Sequence, residues 1–202
     1  MIITIERQYG SGGEKIGELL AQRLGIAYFD KEILTVASKE SRIEEKIFQT
    51  FDETFVNAGI YSLLPDARAA KAAEYRQPLA EQVYLAEFDA IRKIAKEQPG
   101  IFVGRCSDYL LQEYEGVVHL FVYAPIDVRI ARVCQHDNLN RSDAEIIIRK
   151  IDREREKFYN YYTSRKWGNA CNCNLSIDTG RIEPDAATIL LEQYVKSIDE
   201  VV

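Results

Sequence analysis

The sequence predicts an α/β protein with a parallel, doubly wound sheet of five strands. Three observations point there. Five short apolar runs read as strands: Ile2–Glu6, Ala27–Phe29, Ile101–Val103, Val118–Tyr123 and Leu175–Ile177. Stretches of helical periodicity separate them, and parallel neighbours need such crossover connections. The first strand also runs straight into the glycine-rich turn Arg7-Gln8-Tyr9-Gly10-Ser11-Gly12-Gly13, which opens a helix.

That helix is predicted over Glu14–Leu24, with Ile16, Leu19, Leu20 and Leu24 at helical spacing. Further helices are predicted over Lys31–Ser38, Leu79–Lys96, Ile126–Gln135 and Ser142–Tyr161. A last one covers Pro184–Ile198, with proline suitably in its first turn. Ser41 to Gln77 is mixed and partly helical, broken by Asp52, Asn57, Gly59 and Pro65. It falls between strands two and three, where a lobe would overhang the carboxyl edge of the sheet. Arg141 to Trp167 is the second departure: eight basic residues stand there against five acidic ones. Asp152, Glu154 and Glu156 interleave with the arginines, so a solvated, salt-bridged face is one explanation. An anion-binding helix is the other.

With 202 residues the chain is expected to form one domain, 1–202, with a small inserted lobe. A hydrophobic share of 47% and a charged share of 29% describe a soluble globular protein. The formal charge of −6 argues against a nucleic-acid partner. Val117 to Ile126 is the longest apolar run, and His119 and Pro125 interrupt it, so no membrane association is expected. The chain opens on a strand without a basic-then-apolar leader, and a cytoplasmic location is expected. No pattern sets an oligomeric state.

Cys106, Cys134, Cys171 and Cys173 lack a paired C-x-x-C pattern and read as free thiols, with no metal site. His119 lies in an apolar strand and His136 in a polar loop. Neither has an evident partner for triad chemistry.

The strand, the glycine turn and the helix N-terminus together make an anion site. Glycines let the backbone curl with its N–H groups inward, and the helix dipole adds positive charge where they converge. A standard phosphate-binding loop reads G-x-x-x-x-G-K-[ST]. With Gly12 as the last loop glycine, Arg7 takes the first glycine's place, Gly13 the lysine's and Glu14 the hydroxyl's. A glycine turn of this kind also serves as a plain tight connection. Arg7 is the candidate for supplying the lost charge. Lys15 is a second candidate, although its helix position points it sideways. Glu14 would repel a phosphate unless it turns away or meets magnesium.

Other strings join the loop: Tyr28-Phe29-Asp30-Lys31-Glu32-Ile33, Val103-Gly104-Arg105-Cys106, and Val122-Tyr123-Ala124-Pro125 followed by Arg129 and Arg132. Asp152-Arg153-Glu154-Arg155 and Tyr161-Tyr162-Thr163 with Lys166-Trp167-Gly168 complete the set. Together they resemble the cytidylate kinase-like family, a divergent branch of the P-loop nucleoside monophosphate kinases, nearly end to end. The resemblance implies a P-loop kinase-type three-layer fold with a helical monophosphate-binding lobe (about 38–85) and a lid (136–170). It implies ATP and Mg2+ as cofactors and nucleotide substrates, with CMP or dCMP as acceptor. Asp30 and the Gly104-Arg105 pair would face the acceptor, and Asp152 and Arg155 match the Asp-x-x-Arg of the family's lid.

Elementary chemistry supports these roles. Ligands of open α/β sheets bind beyond the strands' carboxyl ends. Asp30, Arg105 and the glycine loop all follow strand ends. Phosphoryl transfer asks for positioning and charge stabilisation, to which arginine's planar fork is suited. Arg149 and Arg153 are four apart on one helical face, Asp152 and Arg155 three apart on another, and Arg129 and Arg132 share a face after the fourth strand. The expected site therefore comprises Arg7, Gly10, Ser11, Gly12, Gly13, Glu14, Lys15, Arg129 and Arg132 at the donor. Asp30, Gly104 and Arg105 serve the acceptor, and Arg149, Asp152, Arg153 and Arg155 serve catalysis. Magnesium would be held by phosphates and water, unless Ser11 serves. Structural alternatives stand beside these: Asp30 as a helix cap, Arg105 paired with Asp108, and Trp167 with Tyr159, Tyr161 and Tyr162 packing the lid on the body. A nucleotide-binding regulator without turnover, or a kinase of a non-nucleotide acceptor, would share the pattern.

Overall fold

A computed structural model of the protein describes residues 1–53 and 79–199. Five parallel strands form one sheet: β1 (Ile2–Arg7), β2 (Ala27–Phe29), β3 (Gly100–Val103), β4 (Val117–Tyr123) and β5 (Leu175–Asp178), in the order β2-β3-β1-β4-β5. Eight α-helices are seen among the described residues: α1 (Gly13–Leu24), α2 (Glu32–Ser41), α3 (Glu45–Phe51), α4 (Leu79–Glu97), α5 (Ser107–Leu110), α6 (Ile126–Asp137), α7 (Arg141–Thr163) and α8 (Pro184–Asp199). The expected strands and long helices are all present, with ends shifted by a few residues. The helix α3 falls within the stretch expected to be partly helical, and the four-residue α5 was not anticipated, being too short to show a period. His136 sits in the last turn of α6 instead of in a loop. Most of the expected lobe, residues 54–78, lies outside the described residues.

Strand alternation sets the two faces of the sheet. Ile3 and Ile5 in β1, Ile101 and Val103 in β3, and Leu120 and Val122 in β4 pack with Ile16 and Leu20 of α1 and Leu191 of α8. Phe102 faces the other way, joining Phe29, Ile33 of α2, Phe88 and Ile91 of α4 and Phe158 of α7. Each such side chain, fully buried, contributes about 1.5–3 kcal/mol. On this second face β1 also carries Thr4 and Glu6. Thr4 Oγ1 meets His119 Nδ1 at 2.8 Å, and Glu6 accepts a hydrogen bond from Trp167 Nε1 at 3.2 Å.

The chain leaves β1 toward β2 on one side and crosses from β3 to β4 on the other. The order therefore reverses at β1, whose carboxyl end opens a crevice between the ends of β3 and β4. Among the described residues no helix is long and apolar enough to cross a membrane.

Candidate functional site

The glycine loop lies at that reversal. Gly10 and Gly12 have φ of +75° and +86°, in the left-handed region that glycine enters freely. Gly12 caps α1 without a side-chain hydrogen bond, and it lines a cavity at the N-terminus of that helix together with Gly13. That cavity, about 380 Å³, is lined by Gly10, Gly12, Gly13, Arg7 and Arg132, with Glu14 and Lys15 at its edge. A Cβ at Gly13 would lie 2.6 Å from Arg7 Cβ. The space a P-loop lysine's side chain would start from is thus occupied by Arg7, which delivers its guanidinium from the strand instead.

The other donor-site candidates divide. Ser11 is fully buried, and its Oγ donates to Gln8 O at 2.7 Å; the hydroxyl braces the loop and is not placed to meet a metal. Arg132 donates from Nη1 to Ser11 O at 3.0 Å and from Nη2 to Thr179 O at 2.8 Å, tying the loop to the end of β5. Arg129 is buried and donates to Ala124 O, Tyr9 O and Asp152, so it holds the loop from behind. Lys15 lies on the solvent side, 3.8 Å from Glu18. Glu14 turns back, with Oε1 3.6 Å from both Arg7 Nη2 and Arg155 Nη2.

Asp30, Gly104 and Arg105 lie together at the ends of β2 and β3. Gly104, Arg105 and Cys106 all adopt positive φ (68°, 54° and 56°), a strained left-handed run that folds Arg105 back over the sheet edge. Arg105 is only 1% exposed. Its Nη1 donates to Asp30 Oδ1 and its Nη2 to Asp52 Oδ2, both at 2.8 Å. Asp30 therefore pairs with Arg105 and does not cap α2, whose N-cap is Lys31. Asp108 is not Arg105's partner; it accepts from Tyr159 OH at 2.6 Å.

Of the basic helix, α7, only Arg155 reaches the centre. Its Nε donates to Glu53 Oε2 at 3.0 Å and its Nη1 to Arg7 O at 3.2 Å. Asp152 accepts from the Tyr9 N–H and from Arg129. Arg149 pairs with Glu145 one turn back and is exposed. Arg149 and Arg153 line a separate cavity of about 390 Å³, between α6 and α7 and bounded by Gln8 and Trp167. Those two arginines line this second cavity with Asp152 and Glu156, and neither lines the glycine cavity. The aromatic residues pack much as the structural alternative had it. Tyr162 stacks on Tyr84 with centroids 3.4 Å apart, and Trp167 meets Phe121 edge-on at 5.6 Å, although Tyr161 stays exposed.

Glu53 is the site residue that sequence reasoning missed. Its Oε1 accepts from Arg7 Nη1 at 2.5 Å and from the Arg105 N–H at 3.2 Å, while Oε2 accepts from Arg155. Burial would raise its pKa, but Arg7, Arg155 and Arg105 hold it well below the usual carboxylate range. Glu87, almost fully buried on α4, has an Oε1 without a hydrogen-bond partner among the described residues, and burial pushes its pKa well up. No sequence spacing announces either, because Glu53 lies 46 residues from Arg7 and 102 from Arg155.

Sheet order, glycine loop and converging arginines define a P-loop-type kinase fold. A sequence model of the cytidylate kinase-like family matches residues 2–181, and the chain belongs to that family. Among solved structures it is similar to an uncharacterized protein from Eubacterium ventriosum ATCC 27560, at 24% identity and a TM-score of 0.71, covering 98% of this chain and 99% of that one. It is also similar to shikimate kinase from Bacteroides thetaiotaomicron (12% identity, TM-score 0.55, 97% and 98% covered). Shikimate kinase from Acinetobacter baumannii, solved with shikimate, matches at 14% identity and TM-score 0.53, with 96% and 92% covered. At these identities the likeness is one of fold. No curated protein matches the sequence.

Proposed function

We propose that the protein transfers a phosphoryl group from ATP to a nucleoside monophosphate, CMP or dCMP. One observation carries this reading: the Arg7 and Arg155 guanidinium groups and the Arg105 backbone N–H, from three separate parts of the chain, converge on one point, with the buried Arg105 guanidinium held by Asp30 and Asp52. Buried guanidinium groups are costly to assemble and suit a doubly charged phosphoryl group.

In this reading the N–H groups at Gly10, Gly12 and Gly13 cradle the donor phosphates, with Arg7 in the lysine's stead. Asp30 and Arg105 orient the acceptor, and Arg155 meets the charge that develops on the transferring group. Magnesium, when bound, neutralises phosphate charge. With Ser11 turned inward, it would be held mainly by phosphates and water; Glu14, Glu18 and Asp137 are the carboxylates that line the cavity. Among the described residues no cluster of three or more His, Cys, Asp or Glu could hold a metal alone.

A second reading has one observation in its favour. Each of the three arginines already faces a protein carboxylate, as expected of a nucleotide-binding regulator without turnover. Coupled ADP-release assays over a panel of nucleoside monophosphates separate the two. Turnover with CMP or dCMP supports the kinase. Silence across the panel with ATP still bound sinks it, and a panel of non-nucleotide hydroxyl acceptors then follows.

A further inference from the structure

Three donors from three parts of the chain meet on the Glu53 carboxylate: Arg7 Nη1 at 2.5 Å, Arg155 Nε at 3.0 Å and the Arg105 backbone N–H at 3.2 Å. This is the donor set that a phosphoryl group would ask for: two guanidinium groups and a backbone amide converging on two oxygens. The side chain is deeply set, 11% exposed, although it enters from a turn at the end of α3. It reaches the seat because Gly104 has no side chain: a Cβ there would lie 1.8 Å from Glu53 Oε1 and 2.3 Å from Arg7 Nη1. Glu53 itself has φ of 49°, a left-handed conformation that a non-glycine residue holds only when its surroundings impose it.

The positive charge around it is already more than offset, three arginines against four carboxylates. Arg7, Arg105 and Arg155 face Glu53, Asp30, Asp52 and the more exposed Glu14. A phosphate brought in beside all four carboxylates would meet a site with no surplus of positive charge. Two carboxylates bridge Arg7 and Arg155: Glu14 is half-exposed and 3.6 Å from each, whereas Glu53 is deeply set and hydrogen-bonded to both, so Glu53 is the one that occupies the seat.

We propose that Glu53 is an internal stand-in for a phosphoryl group, seated between Arg7, Arg155 and the Arg105 N–H, and that a substrate phosphate binds by displacing it. The inference rests on reading this cluster as the phosphoryl site and deepens it with a regulatory element. The closed turn lowers apparent affinity by the fraction of molecules in which the seat is open. It keeps the buried arginines paired between turnovers, and it makes phosphate entry and the opening of the α3 turn one event.

Calorimetric titration with inorganic pyrophosphate, without magnesium at neutral pH, tests this on the wild type, Glu53→Gln and Glu14→Gln. Removing the competitor should tighten pyrophosphate binding about tenfold or more in Glu53→Gln. Glu14→Gln removes the same charge from a half-exposed position and should tighten it by no more than about threefold, because exposed charges are screened. A folded Glu53→Gln protein with unchanged or weaker affinity overturns the proposal. So does equal tightening in both variants, which would be a plain charge effect. Should Glu53→Gln be unstable in buffer alone, its melting temperature should climb toward wild type with pyrophosphate, more steeply than the wild type's own. Absence of that recovery also overturns the proposal. Titration with CMP in place of pyrophosphate distinguishes the acceptor's phosphate from the donor's as the displacing group. The kinase reading is judged separately, since a silent ADP-release panel leaves pyrophosphate binding to this seat untouched.

Discussion

The Asp152 carboxylate accepts the Tyr9 backbone N–H at 2.8 Å, and its second oxygen lies 2.5 Å from Arg129 Nη1. One side chain thereby fastens the basic helix α7 to the glycine loop and neutralises a buried arginine beneath it. Asp152 is thus a positioning residue. Asp152→Ala should cost about 2–4 kcal/mol, near the range for breaking a buried pair, because Arg129 is left without its counter-charge. Asp152→Asn can still accept from Tyr9 and should lose less. Urea denaturation of both variants checks this; a loss below about 0.5 kcal/mol for the alanine variant would place Asp152 among ordinary surface substitutions.

Glu6 gives a pH prediction. Burial, then the nearby Asp108 and Glu53, push its carboxyl up to about 8, against the ordinary 4.5, although Arg7 pulls the other way. A folded-state value above the unfolded one means stability that is full below pH 4.5 and lost as pH rises through about 8. Glu6→Gln should therefore flatten the fall in stability between those limits. Trp167 is the only tryptophan and donates to Glu6, so its fluorescence reports the titration directly. A wild-type emission that stays constant from pH 6 to about 9 would count against it.

The sheet and its helices were legible because period and turn chemistry are local. Ile2–Glu6, the glycine turn and the amphipathic run after it could hardly be read otherwise. Asp30 and Arg105 were legible for a related reason: both follow strand ends, and parallel strands bring their ends to one edge. Side-chain direction around a helix was less so. Arg149, Arg153 and Arg155 lie within two turns, and only Arg155 faces the loop. Glu53 was illegible because its meaning depends on a turn, on the missing Cβ of Gly104 and on partners far away in sequence. The same holds for Arg129, whose partners are two backbone carbonyls and the Asp152 carboxylate.

Gly12→Val tests the donor cradle. Valine would have to hold φ of +86°, and its Cβ would lie 3.2 Å from Pro184 Cγ. The strain should cost about 1–2 kcal/mol of stability, which leaves the protein folded. Calorimetry should then show no measurable ATP binding, because the branched side chain displaces the N–H groups of the cradle. A folded variant with unchanged ATP affinity would move the donor site elsewhere.

Arg105→Lys tests the acceptor end while keeping a charge beside Asp30 and Asp52. Lysine cannot reproduce the fork that spans both carboxylates. Monophosphate binding should weaken by about 1.5–3 kcal/mol, as for a lost charge-assisted hydrogen bond, with ATP affinity within a few-fold of wild type. Equal weakening for both ligands would assign Arg105 to the fold or to the donor.

Arg155 is where the kinase and regulator readings part most clearly. It is buried at the centre of the site, held by Glu53 and by the carbonyl of Arg7, and it comes from the helix that Asp152 ties to the loop. A charge that serves mainly the transition state lowers turnover when removed and leaves ground-state binding nearly intact. Arg155→Ala should therefore reduce kcat about 100-fold or more, approaching the roughly 10³–10⁵ seen for arginine fingers, with ATP affinity changed only a few-fold. Glu154→Ala is the control: Glu154, the next residue on the same helix, pairs with Lys157 at 3.3 Å, and its loss should leave turnover near wild type. Because Arg155 also pairs with Glu53, both variants need their stability measured beside their rates. A normal melting temperature with a collapsed kcat identifies a transition-state role. Equal, mild losses in the two variants would reduce α7 to a solvated face.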